Sequence, residues 1–154
     1  MPNPPAFKSL AAIGLFFSLL INGWGIAQEN VDVELLQTRV EKFFENLNDE
    51  NIDRERAFND LLAEGPLRAR EEVKQLIVKI DDFEKAYGQY VESEPVREKQ
   101  IGKDLVLLRY LYKMEKYPIV WYFTYYRPPS ASGEENEWVV IAVRFDTRLE
   151  LLGL

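Results

Sequence analysis

The chain has 154 residues, a formal net charge of −7 and neither cysteine nor histidine. The two missing residue types exclude disulfides, thiolate nucleophiles, Ser/His/Asp and Cys/His machinery, zinc sites of the usual kinds and His-ligated haem. The acidic balance disfavours a nucleic-acid phosphate backbone or an anionic membrane surface as partner.

The N-terminus has the three parts of a secretory signal peptide. Lys8 supplies the positive flank, Leu10 to Ile21 form an apolar run broken only by Gly14 and Ser18, and Gly25 and Ala27 place small residues before Gln28. The apolar run is about twelve residues, shorter than the roughly 20 a spanning helix needs. A competing reading, an uncleaved anchor continuing to Ala27, is weakened by Asn22, Gly23 and Gly25. No cysteine follows the run, so a bacterial lipoprotein anchor is excluded. The expectation is an exported protein, periplasmic or secreted, with a signal peptide over 1–27, cleavage after Ala27, one domain over 28–154 and no stable membrane insertion after cleavage. With Lys8 removed, 18 basic residues face 26 acidic ones, a formal charge of −8.

Between Val33 and Leu47 the apolar residues Val33, Leu36, Val40, Phe43, Phe44 and Leu47 recur at three- and four-residue intervals, which predicts an amphipathic helix with Asn30 or Asp32 available as its cap. A shorter helix is expected from about Asp53, burying Ala57, Phe58, Leu61 and Leu62 and stopped by Gly65-Pro66. The third helix carries Val73, Leu76, Ile77, Ile80, Phe83 and Tyr87 on one stripe and ends at Gly88. A weak strand follows over Tyr90-Val91 and Val96 to Ile101, and Pro95 confines it to an edge or a bulge. Three runs then read as an antiparallel meander: Leu105 to Tyr112, Ile119 to Tyr126 and Trp138 to Phe145. Ten of the chain's twenty aromatic residues lie between Leu105 and Phe145, so the sheet carries the core.

Helices first and antiparallel strands afterwards is an α+β order, three N-terminal helices packed on a curved, four-stranded antiparallel sheet shaped as a cone. With Phe43-Phe44 near the end of the first helix, a short second helix, Tyr87-Gly88 closing the third, and Trp121-x-Phe123 and Trp138-x-Val140 on successive strands, the chain resembles the nuclear transport factor 2-like superfamily. The resemblance is one of order and pattern, without a catalytic motif. It implies a pocket between the concave sheet face and the helices, for which Trp121, Phe123, Tyr110, Arg109 and Arg144 are the candidate lining residues. The enzymes of that superfamily, steroid isomerases and small dehydratases among them, place Asp, His, Tyr or Arg in such a pocket.

The catalytic candidates here are ionisable groups set among apolar strands, Asp146 and Glu115. A carboxylate in an apolar pocket has its charged form disfavoured, and its pKa rises toward values useful for proton transfer. Tyr110, Tyr112, Tyr122 or Tyr125 would donate to a developing oxyanion. The plainer reading of Arg109 and Arg144 is a solvated strand face or a structural pair with Asp146.

Both alternating faces of Ile119 to Tyr126 carry large residues, and the helices can bury only one. The other is a candidate interface, with Tyr122, Tyr126 and Tyr112 as its residues, for a homodimer through the sheet or another exported protein. No phosphate-binding glycine loop, dinucleotide fingerprint, calcium loop or metal site is present in the sequence, and no cofactor is implied. Three functions follow: a non-catalytic cone domain that binds a small apolar ligand or a protein partner, a cofactor-free isomerase- or dehydratase-type enzyme, and an assembly module that dimerises through its sheet.

Overall fold

A computed structural model of the chain describes residues 24–63, 65–67, 71–130 and 136–150, with side chains from residue 32 onward. The segment read as a signal peptide lies largely outside the described residues. Three helices, α1 (Trp24–Leu47), α2 (Arg54–Leu62) and α3 (Glu71–Tyr87), precede four strands, β1 (Tyr90–Ile101), β2 (Leu105–Met114), β3 (Ile119–Tyr126) and β4 (Val139–Asp146). The strands form one antiparallel sheet in sequence order. The class is α+β, as the sequence predicts.

The apolar stripe of α1 is buried along its length, from Val33 through Leu36, Val40, Phe43 and Phe44 to Leu47. Neither Asn30 nor Asp32 caps this helix, which begins at Trp24; the Asp32 carboxylate accepts from Arg127 at 3.3 Å and ties α1 to the end of β3. The cap of α2 is Asp53, whose side chain accepts from the Glu55 amide at 2.8 Å. Beyond α2, Gly65 passes so close to β4 that an added Cβ would lie 2.8 Å from the Leu62 carbonyl oxygen and 3.0 Å from that of Val140. Glycine is needed there because nothing larger fits. Gly88 closes α3 at φ +85, a backbone conformation that favours glycine, and its amide donates to the Glu84 carbonyl.

β1 is longer than the sequence suggests, a continuous strand of twelve residues on the sheet edge. Its register shifts between Tyr90 and Glu92 and again between Pro95 and Arg97. Proline removes one ladder donor, and the shift beside it lets the strand resume pairing rather than stop. β2 and β3 pair without interruption from Leu105↔Tyr126 to Tyr112↔Ile119.

Alternation along these strands divides the sheet into two faces. Val106, Leu108, Tyr110, Tyr112 and Met114 of β2 and Ile119, Trp121, Phe123 and Tyr125 of β3 turn toward the helices and join the core. Phe44 is the meeting point, with ring centroids 5.6 Å from Tyr110, 5.3 Å from Tyr112, 5.6 Å from Trp121 and 5.7 Å from Phe123. Tilted and edge-on rings add to plain burial because the positive rim of one ring meets the negative face of another. Phe44→Ala is expected to cost about 3–5 kcal/mol, the range for deleting a buried phenyl ring. Urea unfolding checks this, and a loss below about 1 kcal/mol would show that the ring is not the centre of the core.

Candidate functional site

Among the described residues, polar and aromatic chemistry comes together on the sheet face turned away from the aromatic core and in a groove at one end of the core. On the outer face, cross-strand pairing sets Arg97 opposite Arg109, Arg109 opposite Tyr122 and Tyr122 opposite Arg144, so a single row crosses all four strands. The Arg109 guanidinium lies 5.5 Å and that of Arg144 4.5 Å from the Tyr122 ring centroid. Cations attract the electron-rich face of the ring, which holds both arginines down against the sheet. Tyr122 is only 8% exposed, and its hydroxyl has no hydrogen-bond partner among the described residues. The neighbouring rows differ in character. Leu105 pairs with Tyr126 and Leu107 with Thr124 on one side, while Glu94 pairs with Leu111 and Val120 with Asp146 on the other.

The candidate pocket residues do not converge. Tyr110, Trp121 and Phe123 face the helices and are each 1% exposed, whereas Arg109 and Arg144 stand on the opposite face. The rings of Phe43, Phe44, Trp121 and Phe123 fill the space between sheet and α1, with Trp121 and Phe123 stacked at 5.8 Å. Tyr112 likewise leaves the expected interface set. It is buried under the helices and donates its hydroxyl proton to Asn48, so only Tyr122 and Tyr126 lie on the outer face. Strand alternation already separates Tyr112 from Tyr122 and Tyr126 once the β2–β3 register is known.

The catalytic candidates sit where proton transfer finds no support. Asp146 ends β4 on the outer face, and hydrogen bonds from the Arg148 side chain and then from its backbone amide hold the carboxyl at about 2, the reverse of the upward shift a general base requires. Glu115 is exposed at the end of β2, where its carboxylate accepts from the Gln89 amide at 3.3 Å beside Gly88 and stabilises the turn between α3 and β1. Burial pushes the phenols of Tyr110, Tyr112 and Tyr125 well above their ordinary range, so these hydroxyls stay protonated inside the core.

The groove escaped sequence reasoning. It encloses about 410 Å³ between the α1–α2 turn, the end of α3 and the start of β1, and is lined by Asn48, Glu50, Arg54, Glu84, Gln89 and Tyr90 among others. Arg54 bridges Asp81 and Glu84 on α3. Partial burial disfavours its charge, but the hydrogen bond to Glu84 and the two carboxylates outweigh that and raise its pKa above the ordinary arginine value. Tyr90 stacks on Tyr112 with centroids 4.5 Å apart. The lining can hydrogen-bond a small polar molecule, but its one cation, Arg54, is already held by Asp81 and Glu84, which suits a structural clasp of α2 to α3. No signal in the sequence links Arg54 to residues 27 and 30 positions later.

Comparison with known proteins finds no matching family model, no matching curated protein and no matching solved structure. Among the described residues no helix is long and apolar enough to cross a membrane, and no group of acidic side chains is placed to hold a metal ion.

Asp146 should remain ionised until the pH falls toward about 2. The sign is that of a depressed carboxyl: its contribution to stability is present above the unfolded-state value near 4 and is lost as pH drops through the folded value. Carbon-detected NMR titration of the carboxyl checks this, and Arg148→Gln should move the midpoint upward. A midpoint above 4 in the unaltered protein would restore Asp146 as a candidate base.

Proposed function

We propose that the protein is an exported, non-catalytic binding domain that docks a protein partner through the sheet face its helices leave uncovered. The observation that carries this reading is the row Arg97, Arg109, Tyr122 and Arg144, in which two guanidinium groups are stacked on one tyrosine ring at the middle of the sheet face turned away from the aromatic core. Arginine and tyrosine dominate the energetically important centres of protein interfaces, because each supplies a large rigid surface together with directed hydrogen bonds. Leu105, Leu107 and Tyr126 beside the row add apolar area that is only partly covered in the isolated chain.

The packing on the other side of the sheet favours the same choice. Aromatic rings occupy the space where a cone domain would hold a small apolar ligand, and neither carboxylate candidate reaches it. Export belongs to the proposal through Lys8, the apolar run Leu10 to Ile21 and the small residues before Gln28. Curvature of the sheet around α1, and with it kinship to the nuclear transport factor 2-like superfamily, belongs to it through the element order and the meander. A second copy of the chain is one form the partner can take, since a sheet face is self-complementary when a two-fold axis lies in its plane.

A photo-crosslinking side chain placed at Ala142, exposed on β4 beside Thr124, tests the reading in the cells that produce the protein. The expected result is a discrete protein adduct, with none from the same group placed at Val78, exposed on α3. Adducts from Val78 alone, or from neither position, would remove the sheet face as the binding surface. The mass of the adduct distinguishes a second copy from another protein.

A further inference from the structure

β1 lies at the edge of the sheet, hydrogen-bonded as a strand to β2 alone, and nine of its twelve residues are exposed. Val91 at 59%, Val96 at 41% and Ile101 at 45% are three of the five large apolar side chains exposed among the described residues. Burial in the core therefore does not hold this strand in place; its ladder to β2 does. An exposed edge of this length is a template on which another strand can pair.

The charges of β1 are ordered along it, with Glu92 and Glu94 before Pro95 and Arg97 and Lys99 after it. In a regular strand residues 94 and 97, or 92 and 99, fall on opposite faces, because each pair is an odd number of positions apart. The register shift between Pro95 and Arg97 removes that difference. Glu92 pairs with Lys113, Glu94 with Leu111, Arg97 with Arg109 and Lys99 with Leu107, all on the face turned away from the aromatic core. Glu98 lies on the reverse face, where Gln37 donates to it at 2.8 Å. From Glu92 to Lys99 the strand is thus the same in face when read from either end, and opposite in charge. Among the described residues neither Arg97 nor Lys99 has an ion-pair partner, while Glu92 and Glu94 share the single ammonium of Lys113 at 2.8 and 3.0 Å.

We infer that β1 pairs antiparallel with β1 of a second copy, joining the two sheets edge to edge about a two-fold axis between Pro95 and Val96. In that register Glu92 of one copy stands opposite Lys99 of the other and Glu94 opposite Arg97, each pair on one face and each formed twice. Opposite charges directly across a ladder stabilise it, and like charges do the reverse, so a parallel arrangement is disfavoured. Displacement by two residues in either direction keeps only one of the two kinds of ion pair. Proline, lysine and a bulge discourage indiscriminate pairing at an edge. Here Pro95 and the register shift lie at the axis, and a short ladder forms on each side of it. A two-fold contact needs one surface that complements itself, which this charge order supplies. The pairing is separate from docking on the sheet face and leaves that face uncovered in both copies.

Sedimentation equilibrium of the exported chain tests the inference. A reversible dimer is expected as the concentration rises into the high micromolar range. The double variants Arg97→Glu/Lys99→Glu and Glu92→Lys/Glu94→Lys should each weaken it by about tenfold or more. An equimolar mixture of the two should associate again, because every opposed pair is then oppositely charged. All four positions are exposed, so the unfolding midpoints should stay close to that of the unaltered chain. The chain has no cysteine, which allows a second readout: Val96→Cys should give a disulfide-linked dimer on mild oxidation, and Val78→Cys, exposed on α3, should not. A monomer throughout the range, a dimer that both charge variants keep, a mixture that stays monomeric, or equal crosslinking from positions 78 and 96 would each overturn the inference. Crosslinking from Ala142, on the opposite edge strand, is independent of these results, so docking on the sheet face stands or falls by itself.

Discussion

The contact on which the rest of the structure depends is the packing of Phe43 and Phe44, adjacent on α1, against Trp121 and Phe123, two apart on β3. A helix and a strand have different periods, and few pairs of positions keep both partners in register. Two consecutive helix residues span a wide arc of the helix surface, so Phe43 also reaches Phe58 of α2 at 5.0 Å while Phe44 reaches Tyr110 and Tyr112 of β2. One dipeptide thus fixes the second helix, the first helix and two strands relative to one another. The consequence for function is immediate: the same rings occupy the volume that a ligand would need.

Closing one face of the sheet leaves the other as the surface on which the proposed docking depends. β3 is the central case, because Val120 and Tyr122 on its outer face are as buried as many core residues. The cover of Tyr122 comes in part from the arginines lying over it, since the stems of such side chains shield apolar surface. An arginine held flat by a ring is a more specific ligand for a carboxylate than a mobile surface lysine. A structural role for the row and the proposed binding role are therefore compatible.

Much of the fold was legible in the chain because local signals agreed with one another. The apolar periods of α1, α2 and α3, Gly88 after α3 and the three aromatic-rich strands all point to the elements observed. β1 was harder to read because both of its faces are largely exposed and it carries almost no apolar alternation; its pairing with β2, rather than its own residues, makes it a strand. The site was less legible for a physical reason. Periodicity shows that Arg109 and Arg144 lie off the core stripe, but only the pairing of β2, β3 and β4 shows that they meet across Tyr122. Trp121, Phe123 and Tyr110 were grouped with those arginines on the strength of a resemblance, and a shift of one residue along a strand is a change of face. Arg54 with Asp81 and Glu84, and Arg127 with Asp32 and Asp104, are clasps between distant segments that no local pattern announces.

The central claim is that one face of the sheet is sealed by aromatic packing and the other is open for use. Its most direct measurement is thermal unfolding of two neighbouring substitutions, Leu107→Lys and Leu108→Lys, which send the same side chain to opposite faces of β2. Leu108 is 1% exposed and in the core, so a lysine there must bury a charge or expel the helices. The expected outcome is a cooperative transition retained by Leu107→Lys, with a small shift, and lost by Leu108→Lys. Equal loss in both would mean that the outer face is also closed within the chain, and the assignment of that face to a partner would fall with it.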